Sequence, residues 1–261
     1  MKFIHLSDTH IKNDAYELYG LNPAQRLEAA INSINKNHSD SDFIVITGDL
    51  TDRGEIKAYE NLKEICDKSI VPIIKLIGNH DSRENFLEIF PQNFQNEGFI
   101  QDVMHINNNA LIFLDTKIPN THGGDMCDKR FEWFERQLEE NKDKNVYVFM
   151  HHPPMSVGIG YMDKIAFASA NRIKKLFQKY TNIKHLFFGH LHRPLSGVWA
   201  STPYFGVRGT NHQVALKTDD ELLHMTVEEQ PTYGIITVEN DDILIHLHEY
   251  LNEDRYATWE E

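Results

Sequence analysis

Five short stretches of the 261-residue chain carry side chains that can ligate metal ions. They are Asp8-Thr9-His10, Gly48-Asp49, Gly78-Asn79-His80-Asp81, His151-His152-Pro153-Pro154 and Gly189-His190-Leu191-His192. Carboxylate, imidazole and amide donors in this mixture suit Mn, Fe, Zn or Co better than they suit calcium or magnesium cages. Neither cysteine, Cys66 or Cys127, lies in these stretches, so a soft thiolate site is excluded. Asp49 has two oxygens and can bind two cations at once. Asp8 and His10 stand two residues apart, as do His190 and His192. In extended chain that spacing turns both side chains to one face, where they can chelate one ion.

The stretches come directly after apolar runs: Lys2–Leu6, Phe43–Thr47, Pro72–Ile77, Val146–Met150 and His185–Phe188. An apolar run that stops at a glycine or polar turn is how a buried strand delivers a side chain to the edge of a sheet. Helical patterns lie between the runs. Pro23 opens one over Ala24–Asn37, with Leu27, Ala30, Ile31 and Ile34 as its apolar stripe. Others are predicted over Glu55–Lys68, Arg83–Phe90, Lys129–Lys142 and Ala168–Tyr180. Phe99–Ile106 and Ala110–Asp115 predict a hairpin around Asn107-Asn108-Asn109. Thr116–Asp128 and Met155–Asp163 read as loops; His122 and Asp125 of the first are weak ligand candidates, read sooner as solvated residues. Past residue 196 the pattern is all β: Val198–Ser201, Tyr204–Val207, His212–Lys217, Tyr233–Val238 and Ile243–His248. His246 and His248 are placed on the outer face of the last strand. Strand–helix alternation with β segments after it predicts a layered α/β sandwich, one domain over residues 1–261.

Apolar content of 41% and charged content of 25% are those of a soluble globular protein. A net charge of −13 argues against nucleic acid as the partner, although a metal charge could still attract one small anion. Met1–His5 runs straight into a strand without the apolar core of a signal peptide. No apolar run is long enough for a bilayer, and two cysteines make no disulfide framework. A reduced, cytoplasmic protein that does not enter membranes is expected.

One strand ending of this kind is ordinary turn chemistry, but five in one chain are not. In this order, Asp-x-His, Gly-Asp, Gly-Asn-His-Asp, His-His-Pro and Gly-His-x-His resemble the calcineurin-like metallophosphoesterases, from about Lys2 to about Val214. Gly158, Met162-Asp163 and Gly209-Thr210-Asn211-His212-Gln213-Val214 make the chain most similar to bacterial glycerophosphodiesterases and class III cyclic-nucleotide phosphodiesterases. The resemblance implies a four-layer α/β/β/α sandwich with a C-terminal β extension. It implies two divalent transition-metal ions bridged by Asp49 and a hydroxide. Asp8, His10, Asp49 and His192 would hold one ion; Asp49, Asn79, His151 and His190 the other. His80 would be catalytic, and Asn79, His80 and His212 would contact substrate, while His152 points elsewhere. A neutral amide at Asn79 leaves the centre net cationic for a phosphate. The implied activity is hydrolysis of small phosphodiesters of the glycerophosphodiester type, with 3′,5′-cyclic nucleotides as the alternative. A phosphomonoesterase and a metal-free scaffold are the further alternatives. The family also implies a homo-oligomer, a dimer or larger, with residues 196–251 as a possible subunit contact.

Overall fold

The computed structural model describes residues 1–14, 17–91, 98–217, 225–240 and 242–252. The chain runs β1 (Lys2–Leu6), α1 (Pro23–Asn37), β2 (Phe43–Thr47), α2 (Ile56–Cys66), β3 (Ile73–Leu76), α3 (Arg83–Ile89), β4 (Asp102–Ile106) and β5 (Asn109–Phe113). Next come α4 (Asp128–Glu140), β6 (Asn145–Met150), α5 (Gly160–Lys164), α6 (Ala170–Lys179) and β7 (Ile183–Phe188). The last six strands are β8 (Leu195–Trp199), β9 (Thr202–Gly206), β10 (Gln213–Val214), β11 (Thr226–Val227), β12 (Thr232–Glu239) and β13 (Asp242–Glu249).

Two sheets form the centre, in the orders β13-β12-β1-β2-β3 and β4-β5-β6-β7-β9-β8. β1, β2 and β3 are mutually parallel, as are β5, β6, β7 and β9. Parallel strands covered on both faces have no solvent side, so they read as unbroken apolar runs. Every residue of β2 is accordingly buried.

Aromatic side chains fill the space between the sheets. Phe3 of β1 stacks on Phe43 at 4.9 Å and meets Phe149 and Phe187 of the facing sheet edge-on at 5.7 and 5.3 Å. Each ring so buried contributes roughly 1.5–3 kcal/mol by removal of apolar area from water. On the outer side of the first sheet, Leu27, Ala30, Ile31 and Ile34 of α1 join Tyr59 and Leu62 of α2. Phe131, Phe134 and Leu138 of α4 and Ile173 and Phe177 of α6 cover the other sheet. These are the four layers α/β/β/α. No helix among the described residues is long and apolar enough to cross a membrane.

The C-terminal β segments are built into the sandwich. β12 pairs with β1, β13 pairs with β12, and β9 pairs with β7. Residues 218–224 and 241 of this part, and Tyr16 of the early loop, lie outside the described residues. His246 is exposed on β13, and His248 packs on Tyr233 at 5.0 Å, so both stand on the outer face.

Several boundaries differ from the sequence expectation. β8 ends at Trp199, because Ala200 and Ser201 form the turn with φ of 50° and 67°. A two-residue turn with both φ positive matches the twist of a hairpin, and neither residue type announces it. α5 stands where a loop was expected; five residues are too few to show a helical period. Of the predicted strand His212–Lys217, only Gln213–Val214 pairs, with the unpredicted β11.

Candidate metal centre

The parallel strands deliver their C-terminal ends to one edge of the sandwich, and there the five motifs meet. The amide of His190 donates to Asp8 Oδ1 at 3.1 Å, and His151 Nδ1 donates to the carbonyl of Thr47 at 2.7 Å. Strand ends from both sheets are thereby tied together. The backbone at these ends is not extended. Asp8, His10, Asp49, His190 and His192 all have positive φ, between 44° and 69°. Asp8 and His10 do converge, but through left-handed turns and not through strand geometry, which corrects the expected route. Such a conformation costs of order 1–3 kcal/mol per non-glycine residue and persists only where the surroundings enforce it. Gly78 allows a close approach: a Cβ there would overlap Asp49 Oδ1 and come within 2.7 Å of His151 Nε2.

Two groups of donor atoms result. In the first, His10 Nε2 lies 3.1 Å from His192 Nε2 and 3.7 Å from Asp49 Oδ2, and His192 Nε2 lies 3.4 Å from Asp8 Oδ1. In the second, Asn79 Oδ1 lies 3.1 Å from His151 Nε2 and 3.0 Å from His190 Nδ1. Asp49 Oδ2 lies 3.3 Å from His151 Nε2, so Asp49 touches both groups. Ligands held at about 2.1 Å around a six-coordinate ion are about 3 Å apart, close to these spacings.

The hydrogen bonds on the far side of each ring set the tautomer. His192 Nδ1 donates to the carbonyl of His212 at 2.8 Å, and His190 Nε2 to that of Ile165 at 3.2 Å. Carbonyls only accept, so in the neutral rings His192 Nε2, His190 Nδ1 and His151 Nε2 have lone pairs pointing inward. At His190 Nδ1 and Asn79 Oδ1, lone pair faces lone pair. Asp8 Oδ2 is buried with no hydrogen-bond partner among the described residues. Acceptors crowded together without donors fit cations, and on this ground the residues fit two metal ions.

The electrostatics agree. Burial, reinforced at His190 by His151, pushes the pKa values of His10 and His190 well below normal, so both rings are neutral. Burial would also raise Asp49, but His151 and His80 together hold it well below the usual carboxylate range. Burial opposes protonation of His151 too, yet Asp49 outweighs it and lifts that ring to about 9. In the absence of metal, a proton on His151 Nε2 would relieve part of the crowding; a divalent cation would replace it.

His80 is placed differently. Its Nδ1 donates to the carbonyl of Asp52 at 2.8 Å and its amide donates to Asp49 Oδ1 at 2.9 Å. The ring lines a cleft of about 220 Å³ with Asn79, His212 and the two donor groups. Burial would lower its pKa, but Asp49 and the Asp52 carbonyl raise it overall, which favours a proton on Nε2 near neutrality. His212 lies with its ring 4.4 Å from His192 and 4.7 Å from Tyr19. His152, expected to point elsewhere, keeps a nitrogen within 4.8 Å of donor atoms of His151 and His190, but both of its nitrogens have other partners: Nε2 donates to the carbonyl of His122 at 3.2 Å and Nδ1 lies 2.8 Å from the Thr116 hydroxyl. With both nitrogens engaged, it is a poorer ligand than Asn79, although its ring lies 4.6 Å from His190.

Some residues of the cleft were not expected. His122 is exposed, as read from sequence, yet it accepts from Asn79 Nδ2 at 3.1 Å through Nδ1 and so fixes which way the amide points. Asp125 stays outside the cleft lining, its Oδ1 accepting from the amide of Met126 at 2.8 Å. Tyr19, Asp52, Tyr161 and Ile165 form the outer wall. Glycine, tyrosine and leucine in the loop before Pro23 were visible, but nothing in their order aims Tyr19 at a cleft.

Comparisons with known proteins agree with this geometry. The profile of the calcineurin-like phosphoesterase family matches residues 1–194. A probable cyclic nucleotide phosphodiesterase of Rhodopseudomonas palustris is 39% identical over 251 residues, 94% of this chain and 91% of that protein. A probable glycerophosphodiester phosphodiesterase of Arcobacter nitrofigilis is 32% identical over 238 residues, 89% of this chain and 86% of that one. A dimetal phosphatase from Danio rerio shares the fold with a TM-score of 0.73 at 12% identity, covering 95% of this chain and 96% of its own. The chain belongs to the calcineurin-like phosphoesterases. It is a metal-dependent hydrolase of phosphoric esters.

Proposed function

We propose that the protein is a dinuclear-metal phosphodiesterase acting on small diesters. The observation that carries this reading is the cleft lining, which among the described residues contains neither lysine nor arginine. A diester brings one negative charge and a monoester brings a second that would need a partner. Of the described cations around it, Lys117 Nζ donates to the carbonyl of Asn79 at 2.8 Å, Arg83 is paired with Asp115 at 2.7 Å, and Arg53 is exposed outside the lining with its Nε 3.5 Å from Asp52 Oδ2.

Asp8, His10, Asp49 and His192 would hold one ion, and Asp49, Asn79, His151 and His190 the other. When bound, such a pair supplies Lewis acidity and an activated water for in-line displacement at phosphorus. The chain's own residues do the rest. Asn79 and His80 border the position of the phosphoryl oxygens, and His80 Nε2 can donate its proton to the departing alkoxide. His212 and Tyr19 stand on the side where an ester substituent would lie. Mn, Fe, Zn or Co each suits the mixed donor set.

Two substrates fit the class. A glycerophosphodiester is supported by the 32% identical relative. A 3′,5′-cyclic nucleotide is supported by the 39% identical relative and by the wall of Tyr19, Tyr161, Met162 and Ile165, on which a base could lie. Turnover of glycerophosphocholine, glycerophosphoethanolamine and cyclic AMP with Mn²⁺ added decides between them. Comparing bis(p-nitrophenyl) phosphate with p-nitrophenyl phosphate tests the class, and preference for the monoester would overturn it. Self-association, expected from the family, has its most apolar exposed strand in β13, where Leu244 and Leu247 are 56% and 44% exposed. Sedimentation velocity tests that expectation.

A further inference from the structure

We propose that Asp81 and Tyr59 form a brace that sets the separation of Asp49 from Asn79, and with it the affinity of the second cation position. The proposal rests on the two-metal reading of the function. Asp81 completes the Gly78-Asn79-His80-Asp81 motif but belongs to neither donor group. It is 3% exposed. Its Oδ2 accepts from the amides of Leu50 and Gly78 at 3.0 and 2.8 Å. Its Oδ1 accepts from the amide and the hydroxyl of Thr51, both at 3.1 Å, and from the Tyr59 hydroxyl at 3.0 Å. The Tyr59 hydroxyl in turn accepts from the amide of Ser82 at 2.8 Å.

Leu50 directly succeeds Asp49, and Gly78 directly precedes Asn79. One carboxylate therefore grips both strand ends at the residues beside the ligands. Tyr59 extends the grip to α2, which is packed on the first sheet and cannot move with a wandering loop. The five groups around Asp81 all donate, so the site calls for an anion with two acceptor oxygens and no hydrogen. Nothing else among the described hydrogen bonds joins the backbone after Asp49 to the backbone before Asn79 so directly. Asp81 and Tyr59 act through the ligands and are positioning residues.

Asp81→Asn and Tyr59→Phe test the brace. An amide nitrogen at the Oδ1 position lets the Thr51 and Tyr59 hydroxyls turn and accept, so chiefly the Thr51 amide loses its partner. The fold is expected to survive, as far-UV circular dichroism and thermal melting would report. Calorimetric titration of the metal-stripped full chain with Mn²⁺ is the readout. Wild type is expected to bind two ions. Asp81→Asn should weaken the second by about 10- to 100-fold, the usual effect of losing an outer-shell partner, and Tyr59→Phe by less. Wild-type affinity for both ions in both variants, with or without a lower melting temperature, overturns the brace. If Asp81→Asn does not fold, Tyr59→Phe decides by the same criterion. Fewer than two ions on wild type would overturn the two-metal reading and the brace with it.

Discussion

The backbone carbonyl of His212 holds the ring of His192 through a 2.8 Å hydrogen bond from Nδ1. The peptide of His212 thus orients a donor ring while its imidazole lines the cleft, and only the second depends on the side chain. His212→Ala should therefore keep the metal content of wild type while lowering kcat/KM for a diester, by about tenfold for one lost substrate hydrogen bond. Elemental analysis beside steady-state kinetics checks this. Loss of metal from the variant would make His212 a ligand in its own right.

Asp49 touches both donor groups and Asn79 only one. Asp49→Ala should strip the protein of both ions, whereas Asn79→Ala should leave about one per chain. Metal content measured on the purified variants is the check. Equal loss from both positions in Asn79→Ala would contradict the division of ligands.

Removing the acid at His80 should matter most when the leaving group is a poor one. For an alkyl diester, His80→Gln is expected to lower kcat by about 10²–10⁴, the range of general-acid catalysis. With bis(p-nitrophenyl) phosphate, whose leaving group needs no proton, the loss should be much smaller. A uniform loss across both substrates would assign His80 to binding instead.

His185 is buried against Phe187, its ring centre 4.3 Å away, and burial lowers its pKa to about 4. A free histidine titrates near 6.5. Between these values the unfolded chain binds the extra proton and the folded protein does not. Stability contributed by neutral His185 is present above pH 6.5 and is lost as pH falls towards 4, by about 1.4 kcal/mol per pH unit. In metal-stripped protein, His185→Phe should flatten the fall of denaturation free energy between pH 6 and 4 by about one proton. An unchanged slope would show that the ring is not neutral inside.

The donor residues could be found in the sequence because strands buried on both faces are continuous apolar runs, and the acids, amides and imidazoles that end each run stand out against it. Lys2–Leu6 and Phe43–Thr47 form strands with the expected bounds for this reason. The local geometry could not be found. Positive φ at Asp8, His10, Asp49, His190 and His192 is enforced by tertiary packing, and aspartate and histidine give no local signal as clear as glycine's. The brace was hidden for another reason. Tyr59 sits on the apolar stripe of α2 and reads as core, while its hydroxyl reaches Asp81 from the chain's next crossover. His122 is exposed, as a loop residue between Thr121 and Gly123 should be, but only the fold places its ring beside Asn79.

β1, which leads into Asp8 and His10, lies between β2 and β12, with Lys2 registered with Thr237. β1 must wait until β12 has been made before its second neighbour exists. Pairing over such a sequence separation is entropically slow to establish. Chains interrupted before residue 232 would expose the edge of β1 and be open to proteolysis, and the edge that carries the donor groups would mature only once β12 is in place.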